Sequence, residues 1–241
     1  MVTNLYLIRH GESFANVEPI IGGMRGDSGL TPLGHRQAAL LEQRLAVGAL
    51  RVDVLYTSTL PRALQTAEYV ARALGQSAIP DDDWQELRPG EADGLSTTEW
   101  QQRYGVAERI RDDPFCLFSP GGESWAIFLA RAGAALNRVV ERHPGQTVAV
   151  ICHGGILSAS FFHAAGLGPT ASRQLSFDPH NTSITHWRFF PPHADTGRAW
   201  DATVGPRWSL VTFNDAAHLE AERLDGASHE AVPTPVEERP S

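Results

Sequence analysis

The stretch LYLIRHGES, residues 5–13, decides the fold and raises the first functional question. Four apolar residues lead directly into an arginine, a histidine and a glycine. A short apolar run of this kind predicts a buried β-strand, here over residues 4–8. The same pattern recurs in TVAVICHGG, residues 147–155, so a second predicted strand also delivers a histidine to a glycine.

Predicted helices alternate with predicted strands along the chain. Thr31 followed by Pro32 is a typical N-cap and first helical residue, and Ser58 or Thr59 can cap the next helix. The helices are expected to end near residues 47 and 75, and three more are expected at about 97–104, 123–142 and 155–165. Further strands are expected at 52–58, 147–153, 173–177, 182–189 and 207–213. This alternation predicts an α/β fold with a mostly parallel sheet and helices on both faces.

The composition is that of an ordinary globular chain of 241 residues, with a formal net charge of −8. The acidic balance argues against non-specific binding to nucleic acid or to an anionic membrane. All 20 basic side chains are arginine, so a P-loop lysine and a lysine Schiff base are excluded. No spacing typical of a metal site occurs among the histidines and cysteines.

Two cysteines are too few for a disulfide framework, which favours a reducing, cytoplasmic location. The amino terminus has no basic region before its apolar run, so no signal peptide is expected. Residues 148–167 lack formal charges, but a strand, a glycine turn and a helix explain them better than a membrane span. The loop at 191–207 is expected to lie at the surface. Residues 220–241 are acidic and proline-containing, which predicts a disordered tail after a domain that covers 1–219.

Four side chains are expected to meet at the carboxyl ends of the strands, where ligands bind in doubly wound sheets. His10 and His153 each end a predicted strand. Arg9 stands beside His10, and Arg62 falls in the first turn of a helix that follows another strand. The paired N–H donors of an arginine guanidinium match phosphate oxygens well. The two histidines and two arginines together therefore predict a site for a tetrahedral dianion such as phosphate. The following helix adds N–H groups near its start. With no metal motif present, a histidine is expected to be the nucleophile.

A leaving alkoxide also needs a proton donor. Glu86, in WQELRPG, is the preferred candidate because a carboxyl flanked by apolar neighbours tends to keep its proton. Spacing alone leaves Glu12, Asp27 and Glu91 open as alternatives.

Several motifs resemble those of the histidine phosphatase superfamily, also called phosphoglycerate mutase-like. These are LIRHGESFAN, STLPRALQTA, ELRPGEADGLS, PGGES, VAVICHGGIL, NTSITHW and NDAAHL, in the family's order over residues 3–219. The resemblance implies a three-layer α/β/α sandwich, mostly parallel with an antiparallel edge strand. It implies no metal or organic cofactor.

The same resemblance implies a role for each matching residue. His10 would be the nucleophile that becomes phosphohistidine, and Glu86 would be the general acid and later the base. The phosphoryl group would be held by the remaining matches, which are Arg9, Asn16, Arg62, His153 and Gly154.

The implied activity is that of a histidine acid phosphatase-type phosphomonoesterase acting on a small phosphorylated metabolite. The first alternative is a phosphoglycerate mutase, but mutases of the family typically follow the acid with Arg-x-Tyr-Gly and carry a longer helical insert. The second alternative is a non-catalytic phosphate-binding module, which would be expected to lose His10 or Glu86. The sequence carries no signature of an oligomeric state.

Substrate specificity is expected to come from loops at 17–30, 88–122 and 191–206. Five aromatic side chains either wall a pocket or belong to the core: Trp84, Trp100, Trp125, Phe115 and Phe118. Three arginines either bind a second acidic group or are ordinary surface residues: Arg25, Arg88 and Arg111.

Overall fold

A computed structural model describes residues 1–48, 50–192 and 205–220. Within these residues one sheet is formed by the strands β1 Thr3–Arg9, β2 Val54–Thr57, β3 Ala78–Pro80, β4 Thr147–Cys152, β5 Ile184–Phe190 and β6 Arg207–Asp215. The α-helices of the same residues are α1 Phe14–Val17, α2 Pro32–Val47, α3 Pro61–Leu74, α4 Thr97–Tyr104, α5 Ala107–Asp112, α6 Trp125–Arg142 and α7 Gly154–Ala164.

The strand order is β3-β2-β4-β1-β5-β6. The first four strands of this order are parallel to one another, and β5 and β6 extend the sheet by antiparallel pairing at the β1 side. The predicted fold class, a mostly parallel sheet with an antiparallel edge, is therefore confirmed.

Alternating side chains of the central strands enter two different cores. Leu5 and Leu7 of β1 pack in a cluster with side chains of α6 and α7, such as Phe128 and Ile156. Ile8, which points the other way, packs in a cluster with side chains of α2 and α3. The sheet is buried on both faces, which accounts for the continuous apolar runs of its strands.

The register of β1 and β4 brings the ends of the two strands together. Arg9 of β1 lies opposite Cys152 of β4, and the backbone N–H of His10 donates to the Cys152 carbonyl at 3.0 Å. Each histidine is the next residue after its strand. The two imidazoles therefore leave the sheet side by side.

The predicted N-cap residue is right for α2 and wrong for α3. Thr31 caps α2 as predicted, accepting the N–H of Gly34 at 3.0 Å. The predicted cap of α3 at Ser58 or Thr59 is wrong, because the helix begins at Pro61 with Leu60 as N-cap. The Ser58 hydroxyl instead lies 2.8 Å from a ring nitrogen of His153.

The predicted strand at 173–177 is also wrong. The chain there leaves a 3-10 helix at Pro169–Arg173 and joins no strand ladder. Phe177 stacks on Phe161 of α7 with ring centroids 4.3 Å apart, so aromatic packing holds this segment. The short elements α1, β3 and α5 were not predicted from the sequence.

The uncharged stretch at 148–167 consists of β4, α7 and the turn after it. In the part of the chain that the structure describes, no helix has the length and apolar character needed to cross a membrane. Most of the predicted loop at 191–207 and the tail from 221 onward lie outside the described residues, so the domain boundary at 219 stays a prediction.

Candidate active site

His10 is buried just beyond β1, with 2% of its surface exposed. Its Nδ1 lies 2.6 Å from the carbonyl oxygen of Gly11, and its Nε2 accepts an N–H from Arg62 at 3.1 Å. A carbonyl can only accept and a guanidinium can only donate, so the ring is the neutral tautomer with its proton on Nδ1. This leaves the Nε2 lone pair facing the site.

The surroundings favour that neutral form. Burial first, and then the charges of Arg62 and Arg9, hold the pKa of His10 well below its ordinary value of 6.5. A neutral imidazole is what a histidine nucleophile requires.

His153 is fully buried and is the N-cap residue of α7. Its ring centroid lies 5.0 Å from that of His10. Arg62 Nε donates to His153 Nδ1 at 3.3 Å, so Nε2 carries the proton that meets the Ser58 hydroxyl. Burial, followed by the charges of nearby arginines, also lowers the pKa of His153 well below 6.5.

Arg62 lies between the two histidines and is itself anchored by Asp27. The Arg62 Nη1 donates to an Asp27 carboxylate oxygen at 2.8 Å and to the Gly22 carbonyl at 3.0 Å. The side chains of this pair are 5% and 0% exposed, respectively. The same carboxylate also accepts the Arg62 and Gly29 backbone N–H groups. The loop before α2 thus fixes the guanidinium in place.

Arg9 completes the cationic side of the site. Its Nη1 donates to the Pro179 carbonyl, while its Nε is buried and has no hydrogen-bond partner among the described residues. That Nε would lie 3.7 Å from a methyl group added at Gly154, so it faces the start of α7. Burial lowers the pKa of Arg9, and the negative charges of Glu86 and Asp178 oppose this.

Asn16 lies at the edge of the site on α1. Its amide oxygen accepts the Ser13 N–H and hydroxyl, both at 3.1 Å. Asn181 Nδ2 reaches the same oxygen at 3.4 Å and the His10 carbonyl at 3.0 Å. Asn181 was missed as a site residue, although its motif was noted, because only the fold brings it to the nucleophile.

Glu86 lies over the first turn of α7. One carboxyl oxygen accepts the Gly155 N–H at 2.9 Å, and the other accepts the Leu87 N–H at 3.0 Å. The expected apolar setting is therefore incorrect for the carboxyl group itself, because backbone donors hold it. A methyl group at Gly155 would come within 2.0 Å of Glu86 Oε1, so only glycine lets the carboxyl approach the helix this closely.

A buried ion pair supports the loop that carries Glu86. Arg131 of α6 binds both carboxylate oxygens of Glu123 at 2.7 Å. The remaining Arg131 N–H groups donate to the carbonyls of Asp83, Gln85 and Glu86 at 2.8, 2.9 and 3.1 Å. One arginine thus satisfies three backbone acceptors of this loop, a role that no motif in the sequence signalled.

The other carboxylates weighed as proton donors have different partners. Asp27 is committed to Arg62, Glu12 accepts the Thr31 hydroxyl at 2.7 Å, and Glu91 is exposed with Arg103 at 3.8 Å. Glu86 is the one of the four whose carboxyl contacts the start of α7 in the described structure.

Other reactive groups are poorly placed. The thiol of Cys152 is buried, and burial together with the charge of Glu86 raises its pKa. Among the residues that the structure covers, no group of three or more histidine, cysteine or acidic side chains could hold a metal ion. The space between His10 and His153 holds the Arg62 guanidinium instead.

The aromatic and arginine candidates divide between core, surface and cavity. Trp84 is core, Phe115 is 62% exposed, and Trp100 stacks on Phe118 at 4.6 Å. Trp125 and Phe118 line a cavity of about 400 Å³ together with Arg111.

Arg88 binds Gln85 and the Asp82 carbonyl, and Arg25 lies near Asp93.

Known proteins share this arrangement of elements and motifs. A family profile described as the histidine phosphatase superfamily (branch 1) matches residues 5–198. The chain belongs to this superfamily. The chain is 35% identical over 175 residues to the 2,3-bisphosphoglycerate-dependent phosphoglycerate mutase of Brucella anthropi, across 70% of this chain and 84% of the mutase.

Two solved structures of the same fold are phosphatases. Mycobacterial glucosyl-3-phosphoglycerate phosphatase superimposes with a TM-score of 0.71 at 22% identity, over 89% of this chain and all of that one. Phosphoserine phosphatase of Entamoeba histolytica, in complex with 3-phosphoglyceric acid, gives a TM-score of 0.69 at 26% identity, over 90% and 99% of the two chains.

Proposed function

We propose that this superfamily member is a metal-independent phosphomonoester hydrolase that acts through a phosphohistidine on a small phosphorylated molecule in the cytoplasm. One observation carries the proposal: the Arg62 Nε lies 3.1 Å from His10 Nε2 and 3.3 Å from His153 Nδ1. A phosphoryl group attached to His10 would meet a guanidinium and a second imidazole at once. These are the groups that stabilise the charge spread over phosphoryl oxygens.

In the first half-reaction, the Arg62 N–H that His10 Nε2 accepts turns to a phosphoryl oxygen, and the freed Nε2 lone pair of neutral His10 attacks phosphorus. The bond between phosphorus and the ester oxygen breaks, and Glu86 gives its proton to that oxygen, so an alcohol leaves. Arg9 and Arg62 hold the equatorial oxygens. His153 holds one as well when its proton lies on Nδ1 and the Ser58 hydroxyl donates to its Nε2. Asn16 and the Gly154 N–H are proposed as further phosphoryl contacts.

In the second half-reaction, the Glu86 carboxylate takes a proton from water as the water oxygen attacks phosphorus. The bond between phosphorus and Nε2 breaks, inorganic phosphate leaves, and His10 returns to its neutral form. The carbonyl of Gly11 holds the ring by its other nitrogen throughout, which keeps Nε2 aimed at phosphorus.

Phosphoglycerate mutase is the second candidate, and the similarity to the Brucella anthropi mutase favours it. A mutase returns the phosphoryl group to a hydroxyl of its substrate instead of to water. The loop after Glu86 reads Leu87-Arg88-Pro89-Gly90, which differs from the mutase pattern and supports hydrolysis.

One experiment separates the candidates. The purified protein is given p-nitrophenyl phosphate, or 3-phosphoglycerate with 2,3-bisphosphoglycerate, in EDTA, and inorganic phosphate and 2-phosphoglycerate are both measured. Release of phosphate supports the hydrolase, whereas isomerisation without release supports the mutase. Turnover of neither substrate would favour a binding module. His10→Ala should abolish phosphate release. His35→Ala is the control and should keep it, because the His35 ring hydrogen-bonds to Tyr69.

A further inference from the structure

A cavity of about 400 Å³ borders the Glu86 side of the site. Its volume lies within the range of about 300–1,000 Å³ usual for small-molecule pockets. Eight of its 13 lining residues are apolar, among them Leu87, Phe118, Trp125, Phe162, Leu175 and Phe177.

The cavity lies next to the proposed site, because residues of its wall contact groups proposed for catalysis. Leu87 lines it, and the Leu87 N–H holds one oxygen of the Glu86 carboxyl at 3.0 Å. Ser158, another wall residue, donates to the Gly154 carbonyl at 3.0 Å, one turn away on α7. Phe177 lies two residues before Pro179, whose carbonyl accepts from Arg9.

This position is that of the leaving group. The proton donor must touch the ester oxygen, and that oxygen departs on the side opposite His10. Whatever is attached to the oxygen therefore projects from Glu86 into the neighbouring space. On the Leu87 side of Glu86, that neighbouring space is the cavity.

The charged groups of the wall are poorly suited to a second anion. The Glu123 carboxylate lies there, already bound by Arg131 on both oxygens. Among the described wall residues the one cation is Arg111, whose side chain is 72% exposed and lies 3.4 Å from its neighbour Asp112. Apolar and aromatic surface dominates the rest.

We propose that the preferred substrates are phosphomonoesters of uncharged apolar alcohols or phenols, whose carbon skeleton fills this cavity. The inference rests on the proposed hydrolase activity and narrows the class of its substrates. It sets this chain apart from proteins whose names specify carboxylated substrates, such as phosphoglycerate or phosphoserine.

The test compares kcat/KM for phenyl phosphate and 2-naphthyl phosphate, which differ by one apolar ring and have phenol leaving groups of similar acidity. The second ring should raise kcat/KM roughly tenfold, the scale of a modest apolar extension in a hydrophobic pocket. Both esters should exceed 3-phosphoglycerate and phosphoserine. Leu175→Glu should lower kcat/KM for 2-naphthyl phosphate more than for phenyl phosphate, and so remove the naphthyl preference.

Leu117→Glu is the matched control, because Leu117 and Leu175 are both 44% exposed and Leu117 is outside the cavity wall. It should keep the naphthyl preference. Equal kcat/KM for the two aryl esters in the wild type would overturn the inference while leaving the hydrolase intact. So would faster turnover of 3-phosphoglycerate that depends on Arg111. Hydrolysis of no ester at all would overturn both proposals.

Discussion

Replacing Gly155 by alanine tests how Glu86 is placed, with little change elsewhere. The new methyl group would lie 2.0 Å from Glu86 Oε1, and ordinary contact begins near 3.4 Å, so the carboxyl must move by about 1.4 Å. That movement breaks the 2.9 Å hydrogen bond from the Gly155 N–H. A misplacement of about 1 Å costs roughly 100-fold in rate, within the range of about 10² to 10⁴ contributed by a general acid.

The fold should tolerate the same substitution. The nearest atoms belong to the flexible end of a side chain, and alanine in a helix is favoured over glycine by about 0.5–1 kcal/mol. Lost hydrogen bonding offsets this, so the free energy of unfolding should change by less than about 1 kcal/mol.

The assay measures kcat for an alkyl phosphate and for p-nitrophenyl phosphate, together with urea unfolding. The alkyl ester should lose about 100-fold, and the nitrophenyl ester less than about tenfold because its leaving group needs little protonation. Gly168→Ala, with no atom within 4 Å of the new methyl group, is the control and should behave like the wild type. Equal losses for both esters, or no loss at all, would refute the placement of Glu86 as the acid.

Three further outcomes follow from the same contacts. Asp27→Asn should lower the free energy of unfolding by about 3 kcal/mol, because it leaves the buried Arg62 guanidinium without its counter-charge. Phosphatase activity should fall as well. An unchanged free energy of unfolding in urea would contradict this. Because His10 and His153 have folded-state pKa values well below 6.5, only the unfolded chain takes up these two protons as the pH falls through 6.5. The free energy of unfolding should therefore fall by about 2 kcal/mol between pH 6.5 and 5.5, and by up to about 3 kcal/mol per pH unit below that. Urea titrations at pH 7.5, 6.5 and 5.5 measure it, and a flat profile would count against two neutral buried histidines. Glu86→Gln should slow release of alkyl alcohols far more than of nitrophenolate in stopped-flow assays, whereas a uniform effect would move the acid role to another group.

The convergence of His10 and His153 was predictable because it depends only on strand direction. Both follow apolar runs, and parallel neighbours end at one edge of the sheet. Arg62 could be placed at the same edge for the same reason. The fold class followed from the alternation of strands and helices.

Contacts made by loops could not be predicted in this way. Asp27 was considered only as an acid, yet it anchors Arg62 from a loop 35 residues away. Neither its spacing nor its neighbours encode that contact. The strand predicted at 173–177 was wrong for a related reason. The apolar Phe177 stacks on Phe161 of α7 and does not enter the sheet.

The most direct test of the central claim is to trap the phosphorylated protein. The enzyme is mixed with a ³²P-labelled aryl phosphate in EDTA, quenched within milliseconds, and mapped by peptide mass spectrometry. An acid-labile, base-stable label on His10 is expected, absent from His10→Ala and longer-lived in Glu86→Gln. Turnover without label on His10, or label on any other side chain, would contradict the phosphohistidine mechanism.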